Sequence, residues 1–330
     1  MIISDKHKQT LALLADGKFH SGTELANALG LSRSAIWKHL NSFSELGISH
    51  AAVNGKGYKL DQPLQLLAQA EIHTDLTNAA KSLLTSLEIH DQIHSTNSYL
   101  VEQAHNQAPS GTVCFAEHQS AGKGRRGRQW VSPYGHNIYL SILWRFQQGP
   151  AAISGLSLAI GVAVIRALKQ CHIDNIGLKW PNDIYSNGKK LGGILVEVSG
   201  ETEGPCCAVV GLGLNLYLPE SQASGIAQAW TDLTSISEQP PARNQLAACL
   251  LNHLLPILAG YENQGINSYL EEWRRYDCLK DKPAVLYIGN QQFTGIVQGI
   301  DDTGMLLMQQ AGKSVQSFAS GEVSFHEPAA

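Results

Sequence analysis

The sequence predicts an α+β protein in three parts, and three observations predict it. Residues 1–62 hold short amphipathic stretches with helix-start signatures, followed by a strand–turn–strand pattern. Residues 63–278 alternate apolar helical stretches with strands, two of which are interrupted by glycines. Residues 279–330 pack short strands between turns rich in Gly and Asp, the texture of a small antiparallel barrel.

A chain of 330 residues, 43% of them hydrophobic, is long enough to bury a sizeable core, and two or three domains are expected. No apolar run is expected to reach the length of a membrane span, and the N-terminus lacks the basic-then-apolar order of a signal peptide. This predicts a cytoplasmic protein with no membrane partner. Cysteines 114, 171, 206, 207, 249 and 278 show neither metal-ligand spacing nor a disulfide framework, so they are read as core thiols. The net charge of −4 is uneven. Residues 1–60 carry seven Lys or Arg against four acids, leaving the rest of the chain acidic, which fits phosphate contact at one end only.

Leu11, Leu13 and Leu14 predict a first helix ending near Asp16-Gly17. Ser21-Gly22-Thr23-Glu24 reads as a capping box for a short second helix that stops at Gly30. Ser32 is positioned to cap a third helix, in which Ile36, Leu40 and Phe43 face inward. Ser32, Arg33, Ser34, Trp37, Lys38 and Asn41 then border or occupy its outward face. With the hairpin predicted over 48–60 and Lys56 at its turn, these elements describe a winged helix-turn-helix that reads DNA in the major groove. A small protein-interaction domain is the alternative; Arg33, Lys38 and Lys56, placed where phosphates would be, favour DNA. Trp37 either reads a thymine methyl group or packs against the wing.

Asp61-Gln62-Pro63 marks a linker, and residues 64–87 are expected to be largely helical. A strand over 89–94 leads into a helix opened by Ser95-Thr96-Asn97, and a second strand covers 112–119. Residues 137–144 alternate like a half-buried strand, 153–168 form an apolar helix, and 206–216 form a strand whose Gly211 and Gly213 suggest backbone close to a ligand. A loop without period spans 217–230. Helices at 243–258 and 266–276 close this part, and short strands separated by Gly289, Gly304 and Gly312 fill 283–324.

Two segments carry the chemistry. Gly122-Lys123-Gly124-Arg125-Arg126-Gly127-Arg128 places four cations and three glycines in seven residues, a loop that cannot pack a core and is expected to order around an anion. Lys179 to Val198 contains Lys179-Trp180-Pro181-Asn182-Asp183, then a hairpin turning at Ser186-Asn187-Gly188, then Lys189-Lys190 and Gly192-Gly193. Alternation sends the two lysines to opposite faces. Alone, the hairpin tip would be a solvated turn; beside the cationic loop it points to phosphate or carboxylate chemistry.

Together with Ser95-Thr96-Asn97, Gly211-Leu212-Gly213-Leu214-Asn215 and the two terminal domains, these motifs resemble the biotin protein ligase family over nearly the whole chain, in particular its bifunctional bacterial ligase/repressors. The family's loop usually reads Gly-Arg-Gly-Arg-Arg-Gly. Lys123 at its second position keeps the charge and gives up the bidentate fork.

The resemblance implies a mixed-sheet α/β catalytic domain of the biotin/lipoate ligase type and an SH3-like C-terminal barrel. It further implies ATP-dependent transfer of biotin, through biotinyl-5′-AMP, to a lysine of a biotin carboxyl carrier protein, with magnesium as the phosphate counterion. Catalytic roles fall on Lys190, Arg125 and Asp183, the last either orienting the reacting amine or accepting its proton as a base, or else simply holding a turn. Biotin would meet Ser95, Thr96, Asn97, Gln119, Lys123, Gly124, Arg125, Lys190 and Gly193. ATP or the adenylate would meet Gly122, Arg126, Arg128, Trp130, Lys179, Asn182, Asn215 and Trp230; apart from the resemblance, Trp130 could be simple core and Trp230 an anchor for the next element. Repression would follow from a homodimer that forms when adenylate is bound and contacts biotin operator DNA. A lipoate or octanoyl ligase, a biotin sensor without catalysis and an RNA-binding protein are the competing readings.

Overall fold

A computed structural model of the chain describes residues 3–201 and 203–325. Helices α1 (Asp5–Leu14), α2 (Gly22–Leu29) and α3 (Arg33–Ser42) precede a two-stranded wing, β1 (His50–Val53) and β2 (Gly57–Leu60). The Ser21/Glu24 capping box forms as expected, and Gly30 closes α2 at φ +63°, a left-handed value that glycine adopts without Cβ strain. Ile36, Leu40 and Phe43 are fully buried in a small core with Leu11, Leu14 and Leu25. Two residues from outside the winged helix, Leu64 and Tyr134, complete that core, so it is stapled to the next layer.

The stretch expected to be helical from 64 to 87 is instead an extended linker, two short helices, α4 (Gln69–Asp75) and α5 (Asn78–Leu83), and strand β3 (Ser86–His90). Leu76 is extended and Thr77 caps α5, which breaks the helix. Parallel pairing of β3 with the buried β4 (Thr112–Ala116) outweighs helical propensity beyond it. Between them lies α6 (Thr96–His105), capped by Ser95. Next come β5 (Ile138–Phe146), α7 (Leu156–Gln170), β6 (Ile176–Lys179), β7 (Asp183–Ser186), β8 (Lys189–Gly200) and β9 (Cys206–Leu214). The seven strands form one mixed sheet in the order β3-β4-β5-β9-β8-β7-β6, antiparallel except for β3/β4.

One-turn helices α8 (Glu220–Ala223) and α9 (Leu233–Ile236) interrupt the long connection to α10 (Arg243–Gln264) and α11 (Asn267–Arg275). Helices α7 and α10 bury one face of the sheet, through residues such as Phe115, Ile142 and Val210. The other face meets α6 through Cys114, Leu143 and Val209. With both faces covered, β5 is not the half-buried strand its alternation predicted: Ile138 to Leu143 are all buried. The stretch Pro150–Gln170, 21 residues with mean hydropathy 2.0, does reach the length and apolarity of a membrane span, contrary to expectation. It is the core element under the sheet and 67% of its apolar window is buried. All six cysteines are unpaired; five are buried and Cys278 is half-buried.

The C-terminal strands β10 (Pro283–Ile288), β11 (Gln291–Ile300), β12 (Leu306–Gln309), β13 (Val315–Phe318) and β14 (Glu322–Phe325) form an antiparallel sheet in the order β13-β12-β11-β10-β14. A bulge between Val297 and Gly299 bends it. Its apolar face, including Leu286, Val297 and Leu306, is continuous with the central core, and Trp180 Nε1 donates to Gly304 O at 3.0 Å.

A buried ion pair binds these parts together. Arg243 at the start of α10 pairs with Glu117 after β4, and both are almost wholly buried. The guanidinium also donates to Asn137 O at 2.9 Å and Gln65 O at 3.2 Å, and Glu117 accepts from Leu67 N at 2.6 Å. Removing one partner leaves an uncompensated charge in the interior. Arg243→Met should therefore cost about 3–5 kcal/mol in urea unfolding, and adding Glu117→Leu to it should recover a large part of that loss.

Candidate active site

The site lies on the α6 side of the sheet, where β8 and β9 lose their side chains. Gly211 and Gly213 face this side, paired in register with Leu195 and Gly193. A Cβ on Gly211 would stand 2.1 Å from Asn97 Oδ1, and one on Gly213 would stand 2.5 Å from the Trp130 ring. The glycines expected to admit a ligand therefore first admit two of the protein's own side chains. A cleft open to solvent remains around them, lined by residues from both ends of the site.

One end is neutral and rich in hydrogen-bonding groups. Ser95, Thr96 and Asn97 at the start of α6 are buried there with Gln119. Thr96 donates to Gln119 Oε1 through its backbone N at 2.9 Å and its hydroxyl at 3.2 Å. Ser141 Oγ lies 2.7 Å from Thr96 Oγ1 and 2.6 Å from Asn97 Oδ1. Asn97 Nδ2 donates to Glu197 Oε2 at 2.9 Å and Leu195 O at 3.3 Å. The polar groups thus hold one another in place before any ligand arrives.

The other end is cationic. The loop 122–130 is closed by Gly124 N donating to Arg128 O at 2.7 Å and Trp130 N donating to Gly122 O at 2.8 Å. Its cations find partners within the protein. Lys123 pairs with Glu197 at 3.4 Å, Arg125 donates to Asn182 Oδ1 at 3.1 Å, and Arg126 and Arg128 both pair with Glu322 of β14. Burial and the neighbouring Arg126 lower the pKa of Arg125 from the usual arginine value, against the opposing pull of Asp183 and Glu322.

Between the two ends sits an ammonium–carboxylate cluster. The hairpin turn at Asn187 (φ +49°) and Gly188 (φ +78°) sets the register that places Lys190 opposite Tyr185 and turns it into the cleft, while Lys189 is exposed. Lys190 Nζ is 2.8 Å from Asp183 Oδ1 and 5.8 Å from the Trp130 ring centroid. Lys179 Nζ is 3.8 Å from Asp183 Oδ2 and lies over the rings of Tyr185 and Phe325 at 5.1 and 5.9 Å. Burial lowers the Lys179 pKa, and Asp183 opposes that shift. The indole N–H of Trp130 is buried without a partner among the described residues, a donor free to meet a ligand. The segment 229–231 runs beside Lys190: Lys190 N donates to Ala229 O at 3.0 Å and Thr231 N to Lys190 O at 2.9 Å. Asn215 Nδ2 holds Thr231 O at 3.0 Å, so Asn215 and Trp230 both reach the cleft.

Every residue given a catalytic, biotin or nucleotide role from the sequence lines this cleft except Gly122, which lies beneath Trp130: a Cβ there would meet Trp130 O at 2.7 Å. The seven winged-helix residues lie outside the cleft; all of them are exposed, Trp37 to 56%, and Ser32 Oγ caps α3 by accepting from Ala35 N at 3.2 Å. Sequence reasoning missed Ser141, Glu197 and Glu322. Ser141 and Glu197 carry a signal, a polar residue inside an otherwise apolar strand; Glu322 carries none. Among the described residues, no group of three or more His, Cys, Asp and Glu side chains is placed to hold a metal ion. Gly211→Ala should force Asn97 out of position and destabilise the protein by about 1–3 kcal/mol in urea unfolding.

The comparisons with known proteins agree with this geometry. Residues 89–215 match the biotin/lipoate A/B protein ligase family, 284–326 the biotin protein ligase C-terminal domain, and 6–59 an HTH domain. The chain is 41% identical over 314 residues to the bifunctional ligase/repressor BirA of Salmonella typhimurium, covering 95% of each chain. It is 40% identical to the Escherichia coli protein of that name over the same shares. The biotin protein ligase of Aquifex aeolicus in complex with biotin and ATP shares the fold with a TM-score of 0.62 at 24% identity, over 74% of this chain and 100% of that one. Its glycine-faced sheet, cationic loop and central lysine accord with relatives of this identity over almost its full length: the chain belongs to the biotin protein ligase family, among its bifunctional ligase/repressors.

Proposed function

We propose that the chain attaches biotin to the lysine of a biotin carboxyl carrier protein at the expense of ATP, and represses biotin-synthesis genes when it holds the intermediate. One observation carries the catalytic half: Lys190 stands at the junction of a neutral hydrogen-bonding pocket and a cationic loop within one cleft. On this reading the ureido ring of biotin lies at Ser95, Thr96, Asn97 and Gln119, exchanging hydrogen bonds with groups already paired there. The nucleotide lies along Arg125, Arg126 and Arg128, with Lys179 and Asn182 beneath it and Trp130 and Trp230 as walls. Magnesium enters with the phosphates of ATP as part of the substrate.

In the first half-reaction the carboxylate of biotin attacks the α-phosphorus, a bond forms between them, and pyrophosphate leaves. Two anions must meet, and Lys190 and Arg125 lower the barrier by stabilising the charge that builds on the reacting oxygens. Asp183, bracketed by Lys190 and Lys179, holds both ammonium groups in place; we assign it this role rather than that of a base. In the second half-reaction the neutral amine of the acceptor lysine attacks the acyl carbon of the mixed anhydride, and AMP leaves. On this reading the chain works in the cytoplasm, and residues 1–62, 63–278 and 279–330 divide the labour into DNA reading, catalysis and closure of the nucleotide end.

For repression, Arg33, Lys38 and Lys56 contact phosphates while Ser34, Trp37 and Asn41 approach base edges, with Ser32 fixing the start of the recognition helix. Biotinyl-5′-AMP orders the loops 122–128 and 217–230 into a surface that binds either a second copy of the chain or the carrier protein.

Two measurements test this reading. Biotin-dependent exchange of labelled pyrophosphate into ATP should fall at least about 100-fold in Lys190→Ala, the loss expected on removing a charge that stabilises the transition state. Exchange at the parental rate would remove Lys190 from the chemistry, and no biotin binding by the parent would sink the assignment of the cleft. Sedimentation velocity with biotinyl-5′-AMP should show dimers that are absent without it; identical profiles would separate repression from adenylate-driven assembly.

A further inference from the structure

We propose that Glu322, supplied by the C-terminal sheet, is an internal stand-in for nucleotide phosphate: it occupies Arg126 and Arg128 while the cleft is empty and yields them to ATP. This rests on the reading that the nucleotide lies along the arginine loop.

The carboxylates around the cleft have different duties. Asp183 is committed to two lysines, and Glu197 to Lys123 and Asn97. Among the described residues Glu322 is the carboxylate that serves two guanidiniums, with one oxygen toward Arg128 and the other 3.8 Å from Arg126. Arg126 also donates to Tyr287 O at 3.3 Å, and Tyr287 is the cross-strand partner of Glu322, so the guanidinium grips both strands of the β10/β14 pair. The tie therefore runs from the cationic loop to the C-terminal sheet, across the mouth of the cleft that Glu322 and Val323 help to line.

Its strength suits exchange. Arg126, Arg128 and Glu322 keep 41, 59 and 31% of their side-chain surface exposed, where water weakens an ion pair and leaves it reversible. A single carboxylate shared by two guanidiniums leaves positive charge uncompensated. A polyphosphate brings more charge and more acceptor oxygens, and arginine forks take phosphate in two-point contacts. Nucleotide thus displaces the carboxylate, and the same step frees the C-terminal sheet from the loop. Glu322 is a positioning residue on this account: it keeps the loop folded in a phosphate-ready form and is absent from the reacting atoms.

The test uses the full chain, Glu322→Gln and a non-transferable α,β-methylene analogue of ATP. Far-UV circular dichroism and biotin affinity check that the variant is folded. Without nucleotide, trypsin should cut the loop at Arg126 and Arg128 faster in Glu322→Gln than in the parent, and saturating analogue should bring the two rates together. The variant should bind the analogue about threefold to tenfold more tightly at low salt, an advantage that shrinks as salt rises. Unchanged loop cleavage, or weaker analogue binding, overturns the proposal; weaker binding would mean that Glu322 works with the nucleotide instead of against it. Arg128→Gln separates the two levels. If it binds analogue as the parent does, the placement of the nucleotide fails and the proposal with it. If it loses affinity while Glu322→Gln behaves as the parent, only the role of Glu322 fails.

Discussion

The site depends on a stretch of sheet that presents no side chains. Gly193, Gly211 and Gly213 strip one face of β8 and β9, and onto that bare backbone the protein lays Asn97 from one side and the Trp130 indole from the other. A methyl group at Gly211 or Gly213 would occupy the space of a side-chain oxygen or a ring carbon. The opposite face of the same strands carries Ile194, Val210 and Leu212 into the core over α7 and α10, so the sheet remains anchored where it is thinnest. A rigid platform with its polar groups already paired costs little reorganisation when a neutral, hydrogen-bonding ligand arrives.

Charge is the second constraint. Lys123, Arg125, Arg126, Arg128, Lys179 and Lys190 line one cleft, and their mutual repulsion would open it were they not met by a small set of acceptors. Asp183 and Glu197 lie within the catalytic layer, whereas Glu322 comes from the C-terminal sheet. The chain end remote in sequence is thereby tied to the loop that gives the cleft its charge, and Phe325 adds a ring over Lys179. A C-terminal sheet that shares the central core and touches the cationic end of the cleft is part of its wall, not an appendage to it.

The winged helix is joined to the same centre by buried contacts. Tyr134 enters its core and donates its backbone N to Leu46 O at 3.0 Å, while Gly47 lies so close to Gln222 of α8 that a Cβ there would stand 2.8 Å from its side chain. Asn137 accepts from Leu216 N and Tyr217 N with its side chain, and its carbonyl receives the Arg243 guanidinium. The base of the loop 217–230, the linker at Gln65 and Leu67, and the start of α10 therefore meet around one buried ion pair. Rearrangement of that loop has a short physical route to the DNA-binding domain.

Local chemistry was legible in the sequence. The Ser21 and Ser32 caps, the Asn187-Gly188 turn that turns Lys190 inward, and the cationic loop are written in adjacent residues, and a cap or a turn needs only its neighbours. So was the inward face of α3, because periodicity survives without knowledge of the partner. What only tertiary structure decided was which distant groups meet. Residues 86–90 became a strand because β4 lay beside them, and Ser141 and Glu197 became site residues because α6 placed Asn97 over them. Glu322, an unremarked acid in a short strand, acquired two arginines from a loop nearly two hundred residues away. Sequence determines what each segment can do alone; a neutralised charge or a filled void belongs to a pair of segments, and only the folded chain brings that pair together.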